Sequence, residues 1–431
     1  MIVSPIMTTQ SAVGIGGLNE DRGGDLISTR LDYGPIDYVE NYAHYYKQKI
    51  HPIVAPNLNQ ENSIHTFQIG SDNNPYFIDL QEINCDIDWR VVKEDGTRID
   101  DTDMVSIVNS FSHSLFEQID VFINGQQISD HARYAHFRSF LTNALSISSK
   151  VKKNLLKTDF WHDDDWNGDI KITPNSFSSE KDIKGDIKGE TGIINRSKII
   201  EKSRTVNSYF KPHFDLATCS RDLPGNTELK LVFTMASSDF LLLHTTQKRY
   251  KVEVIKFELE VGRYLPPKSI EKIVESKKKS GLLLPFTRTT VRKREVNIGL
   301  HDLILPRLLE GDNLPFSIVI VPLTNYQLYS AEQNPYCWKQ NNISRFSLLH
   351  NGTSLPLDPL KLGGDFTSYR AFKHCMDSIG WKMTSASTPG ITAEAWQGSK
   401  FFMGWNITSC FCSGDNSINI IISYSLSFRS S

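Results

Sequence analysis

Residues 161–169 read Trp-His-Asp-Asp-Asp-Trp-Asn-Gly-Asp, and Asp163, Asp165, Asn167 and Gly168 follow the D-x-D-x-N-G opening of an EF-hand-like calcium loop. Oxygen side chains at alternate positions can converge on one hard cation where a glycine allows the turn. Such a loop closes on a bidentate Glu at its twelfth position, and Pro174 stands there instead. The plainer reading is a solvated acidic turn between two tryptophans, because short acidic motifs often match by chance. Calcium at 163–169 stays an open alternative. No metal ligand, catalytic residue or cofactor is assigned.

Other chemistry is thin. Lys277, Lys278 and Lys279, with Arg288, Arg292, Lys293 and Arg294, make the one dense basic region. It reads either as a contact for nucleic acid or an acidic neighbour, or as a solvated linker whose like charges repel. The linker is favoured, because phosphate neutralisation needs several cations on one surface. Gly14-Ile15-Gly16-Gly17 lacks the preceding strand and following helix of a dinucleotide fingerprint. The 12 His are scattered without H-E-x-x-H, and His113 reads as a hydrogen-bonded buried side chain. Cys85, Cys219, Cys337, Cys375, Cys410 and Cys412 include no C-x-x-C pair, so reduced, mostly buried thiols made in the cytosol or nucleus are expected. Four N-glycosylation sequons, at Asn195, Asn342, Asn351 and Asn406, are expected to stay unused without secretion.

The elements that must position these residues are mostly short strands. A length of 431 residues exceeds one ordinary core. A net charge of -2 argues against a chain that binds nucleic acid over its whole surface. No apolar run approaches the roughly 20 residues of a membrane span, and no signal peptide is legible. Strands are expected at Thr66–Ile69, Tyr76–Leu80, Cys85–Val92, Ile119–Ile123, Asn207–Phe214, Leu229–Thr234 and Val252–Val261. The second half offers Thr289–Ile298, Phe316–Pro322, Arg345–Leu349, Phe401–Ile407 and Ile418–Phe428. Many short strands with few helices mean sandwiches or barrels rather than a parallel α/β sheet.

One local design occurs twice. Ile119–Ile128 and Phe346–Leu355 each read strand, Asn-Gly turn, strand, with the turns at Asn124-Gly125 and Asn351-Gly352. A helical pattern follows each, with anchors Tyr134, Phe137, Arg138 and Leu141 in the first copy and Tyr369, Phe372, Lys373 and Met376 in the second. Hairpin and helix recurring in order predict two similar domains in tandem. Between the copies, Pro266-Pro267, a short helix pattern over 269–275 and the lysine run mark a linker. Residues 1–50 form an expected N-terminal arm, 51–265 a first domain with a long polar loop over 150–203, 266–281 the linker and 282–431 a second domain. The small tandem duplication at 182–189 is read as an exposed loop.

The stretch Asn109-Ser-Phe-Ser-His113-Ser-Leu-Phe-Glu-Gln-Ile-Asp-Val-Phe-Ile-Asn-Gly125 resembles a segment of the double jelly-roll major capsid proteins of Polinton, adintovirus and adomavirus type, distant relatives of adenovirus hexon. Pro75–Leu80 and the Tyr134–Leu145 helix fit the same pattern, and the resemblance runs from about residue 60 onward. The excursion over 150–203 and the basic linker have no match. The resemblance implies an all-β protein of two tandem jelly-roll sandwiches with short helices in the connections. It implies a homotrimer forming pseudo-hexagonal capsomers that tile an icosahedral shell, and neighbouring capsomers and minor or penton capsid proteins as partners. It further implies contact with packaged DNA, no membrane span, and a place in the virion after assembly in the host nucleus or cytoplasm. The 150–203 excursion would then be a tower or inter-subunit loop, and the N-terminal arm would lock trimers together.

Two other classes remain open from sequence. A minor or vertex capsid protein would normally carry one jelly roll, which the duplicated hairpin and helix oppose. A glycan-binding or glycan-cleaving β-sandwich would need a cleft and, for hydrolysis, two carboxylates about 5–10 Å apart.

Overall fold

The computed structural model describes residues 2–4, 44–53, 63–70, 75–129, 133–164, 171–181, 186–219, 221–245, 248–278, 284, 286–296, 302–305, 315–350, 353–363, 367–382, 385, 387–407 and 418–424. In chain order the first-half strands are β1 (Ile2–Ser4), β2 (His44–Ile50), β3 (Ile64–Ile69), β4 (Phe77–Lys93), β5 (Val105–Ile107), β6 (Phe116–Ile123), β7 (Gln126–Gln127), β8 (Val206–Phe210), β9 (Leu229–Met235), β10 (Leu242–His244) and β11 (Tyr250–Leu265). The second half adds β12 (Arg292–Lys293), β13 (Asp302–Leu305), β14 (Ser317–Val321), β15 (Ile343–His350), β16 (Thr353–Lys361), β17 (Met403–Asn406) and β18 (Ile418–Tyr424).

Strand alternation builds the layers. On β4, Cys85, Ile87, Trp89 and Val91 are buried while Asp86, Asp88 and Arg90 point the other way. β9 repeats the pattern, burying Leu229, Leu231, Phe233 and Met235. The strands pair antiparallel into β2-β11-β4-β8 and β3-β9-β6-β7 in the first half, with a two-stranded β10-β5 beside them. The second half pairs β12-β1-β14-β17 and β13-β18-β15-β16. Counting from β2 and leaving β5 and β10 aside, the first half follows one rule: its first, last, third and sixth strands make one sheet, and its second, seventh, fourth and fifth the other. That is the jelly-roll order, and the second half repeats it with β1 in the last strand's place. Phe67, Phe116, Phe233 and Phe257 meet between the first two sheets with ring centroids 4.8–5.7 Å apart. Fully burying one such ring stabilises the fold by about 2–3 kcal/mol.

The repeated hairpin and helix are present in both halves. Asn124 and Gly125 take φ of 48° and 77°, as a type I′ turn requires, and Ile123 pairs with Gln126 across them. His350 pairs with Thr353 in the second copy, whose Asn351-Gly352 turn lies outside the described residues. Helices Ala135–Ser146 and Thr367–Ser378 follow, and Phe137, Leu141 and Met376 face inward as the spacing predicts, whereas Tyr134 precedes its helix and Tyr369 is exposed.

Several expectations need correction. Tyr76–Leu80 and Cys85–Val92 are one strand, β4. The pairing with β11 jumps from Ile83↔Val261 to Asp79↔Gly262, so a bulge absorbs Leu80, Gln81 and Glu82. Two segments of the expected arm are strands, β1 and β2, each inside or at the edge of a sheet. Only Arg292–Lys293 of the expected 289–298 strand pairs, and 297–298 lie outside the described residues. The 150–203 excursion carries helices Ser149–Lys153 and Thr191–Ile199 and three short 3-10 turns. Ile172, Ile193 and Arg196 within it are buried. Of the 182–189 duplication, Asp186, Ile187 and Lys188 are exposed as expected. The short helix expected over 269–275 in the linker is present as Lys268–Lys278. Among the described residues no helix is long and apolar enough to cross a membrane.

Candidate functional site: the seam between the halves

The richest side-chain chemistry lies where the first half's helical insertion meets residues 325–340 and 381–391. The approach to β6 makes a tight turn at Ser110, whose φ of 53° is left-handed. Asn109 fixes it: its Oδ1 accepts from the backbone N–H groups of Ser110 and His162 at 2.9 and 3.0 Å, and its Nδ2 donates to the His162 carbonyl at 2.7 Å. The buried carboxylate of Asp159 then gathers its neighbours. Ser110 Oγ and Asn143 Nδ2 donate to Oδ2, the latter at 3.2 Å. The backbone N–H of His113 donates to Oδ1 at 3.1 Å, and His113 Nδ1 lies 2.8 Å from the same oxygen.

Serine, histidine and aspartate together invite comparison with a hydrolase triad, and the geometry refuses it. Both Ser110 and His113 address the same carboxylate, while His113 Nε2 lies 3.0 Å from the Lys211 carbonyl. No histidine nitrogen is thereby placed to take the serine proton. His213 packs 4.6 Å from the His113 ring, and its Nε2 lies 3.1 Å from Asn143 Oδ1. Burial, and then the neighbouring His113, hold the His213 imidazole well below its usual range. The cluster is a polar plug that satisfies itself, as buried polar groups must. His113 is thus the hydrogen-bonded buried side chain that its context predicts.

Across the seam the contacts become aromatic. Tyr336 stacks on Phe140 and meets Phe137 and Phe240 edge-on. Its hydroxyl lies 2.6 Å from Ser114 Oγ, one residue from His113. Burial pushes that phenol far above the ordinary tyrosine range. Trp381 Nε1 donates to the Leu145 carbonyl at 2.6 Å, and Ser149 N to the Thr388 carbonyl at 2.8 Å. Lys152 is buried against the Trp161 ring and donates to the carbonyls of Ala144 and Pro389. Burial brings its ammonium down to about 7.

The acidic stretch has a structural role. Asp163 Oδ1 accepts from Trp161 Nε1 at 3.2 Å. Asp164 is buried rather than solvated, and Arg196, with no exposed surface, donates to its Oδ1 at 2.8 Å. Arg196 also donates to the Ile107 and His162 carbonyls, while Asn334 from the other half donates to Asp164 Oδ2 at 3.4 Å. Asp165, Asn167 and Gly168 lie outside the described residues. Among the described residues no cluster of three His, Cys, Asp or Glu could hold a metal.

The basic region is partly consumed within the chain. Arg288 donates to the Ile128 carbonyl at 2.9 Å and lies 4.0 Å from Asp215. Lys293 pairs with Glu295 at 2.9 Å and sits 5.5 Å over the Tyr329 ring. Asp215 also accepts from the Thr289 N–H and pairs with Arg138 at 2.6 Å, tying the first repeat helix to the chain beyond the linker. Among the described residues its counterpart Lys373 pairs only with Asp377, on an exposed helix face. Sequence reasoning marked both cations by position but could not see that only one has a partner in another segment. Cys85, Cys219, Cys337 and Cys375 are free and buried, and Cys410 and Cys412 lie outside the described residues.

A second surface is the outer face of β2-β11-β4-β8. It carries Lys256–Asp86 at 2.7 Å, Arg90–Glu253 at 2.9 Å, Lys47–Glu260 at 3.0 Å and Lys49–Glu258 at 3.4 Å. Each partly exposed pair is worth about 0–1 kcal/mol, so the lattice keeps this face polar and in register more than it stabilises the fold.

No family model matches the chain. No curated protein matches it. Among solved structures, a chain from the 3.5 Å cryo-EM structure of the Sputnik virophage matches 92% of this chain and 84% of its own, at 10% identity and a TM-score of 0.50. PBCV-1 VP54, fitted into a reconstruction of the same virophage, matches 89% of this chain and 85% of its own, at 12% identity and 0.49. The Faustovirus major capsid protein matches 93% and 92%, at 11% identity and 0.43. Together with the strand orders of both halves, the Sputnik likeness shows that the chain folds as a double jelly roll.

Proposed function

We propose that this chain is a major capsid protein whose three copies form a pseudo-hexagonal capsomer that tiles an icosahedral viral shell. The observation that carries this reading is the same jelly-roll strand order occurring twice in one chain, with the two copies joined by a buried seam. Three chains so built present six roll-sized wedges around a threefold axis, a block with nearly sixfold edges from only three copies. The Sputnik chain, taken from a virophage particle, supports the same use of the fold.

On this reading the first roll spans 51–265 with β2 added at its edge, 266–281 is the linker, and 282–431 is the second roll. The 150–203 insertion braces the rolls instead of forming a free tower. Partners are two further copies, neighbouring capsomers and minor or penton capsid proteins. The location is the virion, after assembly in the host nucleus or cytoplasm. Contact with packaged DNA has weak support, since Arg288 and Lys293 are engaged within the chain. The function is association, with no catalytic step. Negative-stain microscopy of the purified protein tests the reading: blocks of hexagonal outline are expected, and single two-lobed particles at every salt and pH would contradict it.

A further inference from the structure

In the first roll, the slot between β2 and β4 is filled by that roll's own last strand, β11, which is 16 residues long. The corresponding slot in the second roll, between β12 and β14, is filled by β1, three residues long and brought from the opposite end of the sequence. Ile2 pairs with Lys293 on one side and Val321 on the other, Val3 with Arg292 and Ile320, and Ser4 with Val319. Val319, Ile320 and Val321 have no exposed surface, so the slot lies in the wall of the second core. Without an occupant, two strands would present unpaired backbone groups to each other's side, a template for an added extended strand.

We infer that the slot between β12 and β14 is a strand-docking site, and that in the capsomer its occupant is Ile2–Ser4 of a neighbouring copy of this chain. This rests on the capsomer reading. A three-residue strand makes few backbone hydrogen bonds, so its occupancy is governed by local concentration more than by intrinsic affinity. The 39 residues from 5 to 43 join it to β2 and reach about 130 Å when extended, far more than the width of a roll. β2 is itself the edge strand of its sheet, so the arm starts at the margin of the first roll. In a ring of alternating rolls, each first roll stands beside two second rolls, one of its own chain and one of the next copy. Donation to the next copy repeated three times closes the ring head to tail. The same slot filled within one chain is the unassembled form, as domain-swapped proteins show when an identical element changes protomer.

Two full-length single-substitution variants with different affinity tags, V3C and I320C, test this. They are mixed during assembly, isolated as trimers carrying both tags, oxidised, and run on a non-reducing gel beside equally treated wild type. A covalent dimer specific to the mixture is expected, because the two new thiols sit on different chains. Substituting R292C for I320C repeats the test at a less buried partner position. Trimers that carry both tags but give no such dimer with either pair would overturn the inference while leaving the capsomer intact. A sample that forms no trimer by native mass would remove the capsomer reading and this inference together.

Discussion

The ring of Phe140 lies 3.8 Å from that of Tyr336 and only 8° from parallel. One belongs to the helix that follows the first Asn-Gly hairpin, the other to a loop of the second half. With the Tyr336 hydroxyl on Ser114, this stack couples the two rolls through one buried side chain.

Y336F keeps the stack and deletes the hydroxyl, leaving Ser114 its bonds to the Asn109 and Ser110 carbonyls. A loss of about 1 kcal/mol is expected. Y336A empties the seam and is expected to cost about 3–5 kcal/mol. Urea unfolding midpoints check both, and a small effect of Y336A would show that the rolls are not coupled there.

Asp164 and Arg196 form the buried ion pair on which the insertion closes. D164A strands a guanidinium without surface exposure and is expected to cost about 3–5 kcal/mol. The double variant D164L/R196M, apolar at both sites, is expected to recover much of that loss. Adding calcium or chelator should leave the wild-type melting temperature unchanged, since Pro174 stands where the loop would need its bidentate Glu. A calcium-dependent rise of several degrees would restore the calcium reading of the acidic stretch.

Burial holds the imidazole of His136 down at about 3 and that of His213 well below its usual range. Unfolded, both titrate near 6.5. Below that pH the unfolded chain takes up protons that the folded chain refuses. Their contribution is therefore complete above about 6.5 and is lost as pH falls below it, for His136 down to about 3, by up to about 1.4 kcal/mol per pH unit for each group. Lys152, about 7 when folded and near 10.4 when unfolded, contributes with the same sign from about pH 7 upward, and above about 8.5 the buried thiols of Cys85, Cys337 and Cys375, which burial raises, contribute the opposite slope. Unfolding measured from pH 4 to 10 checks this. A flat wild-type profile below pH 6.5, or a slope between pH 7 and about 8.5 left unchanged in K152M, would contradict it.

Two glycines separate backbone strain from steric contact. Gly125 takes φ of 77° with open space around it, so G125A should cost only about 1–2 kcal/mol, from the left-handed backbone. Gly404 on β17 faces the second repeat helix, where an added Cβ would strike Ser378, whose hydroxyl is held by the Cys375 carbonyl. G404A is expected to cost more than G125A, and thermal melts of the pair would reveal the reverse order if the helix were loosely packed.

Period-two alternation made β3, β4, β9 and β11 legible, because each buries one face against a core. The hairpin and helix repeat was legible because turn chemistry and helical spacing are local properties. β2 was missed because its residues are largely polar or aromatic and half exposed, and β5 and β10 because three-residue strands carry too little of a period. The seam was hidden for a different reason. Asp159, Asp164, Lys152 and Arg196 are charged residues in a polar stretch, and burial of a charge depends on partners far along the chain. Asp164 meets Asn334, and Lys152 meets Pro389, at separations no local pattern encodes.

Native mass spectrometry of the wild-type protein tests the central claim most directly. The account predicts a stable species at three times the 48.9 kDa chain mass that resists dilution. A monomer at all concentrations, salts and pH values would contradict it.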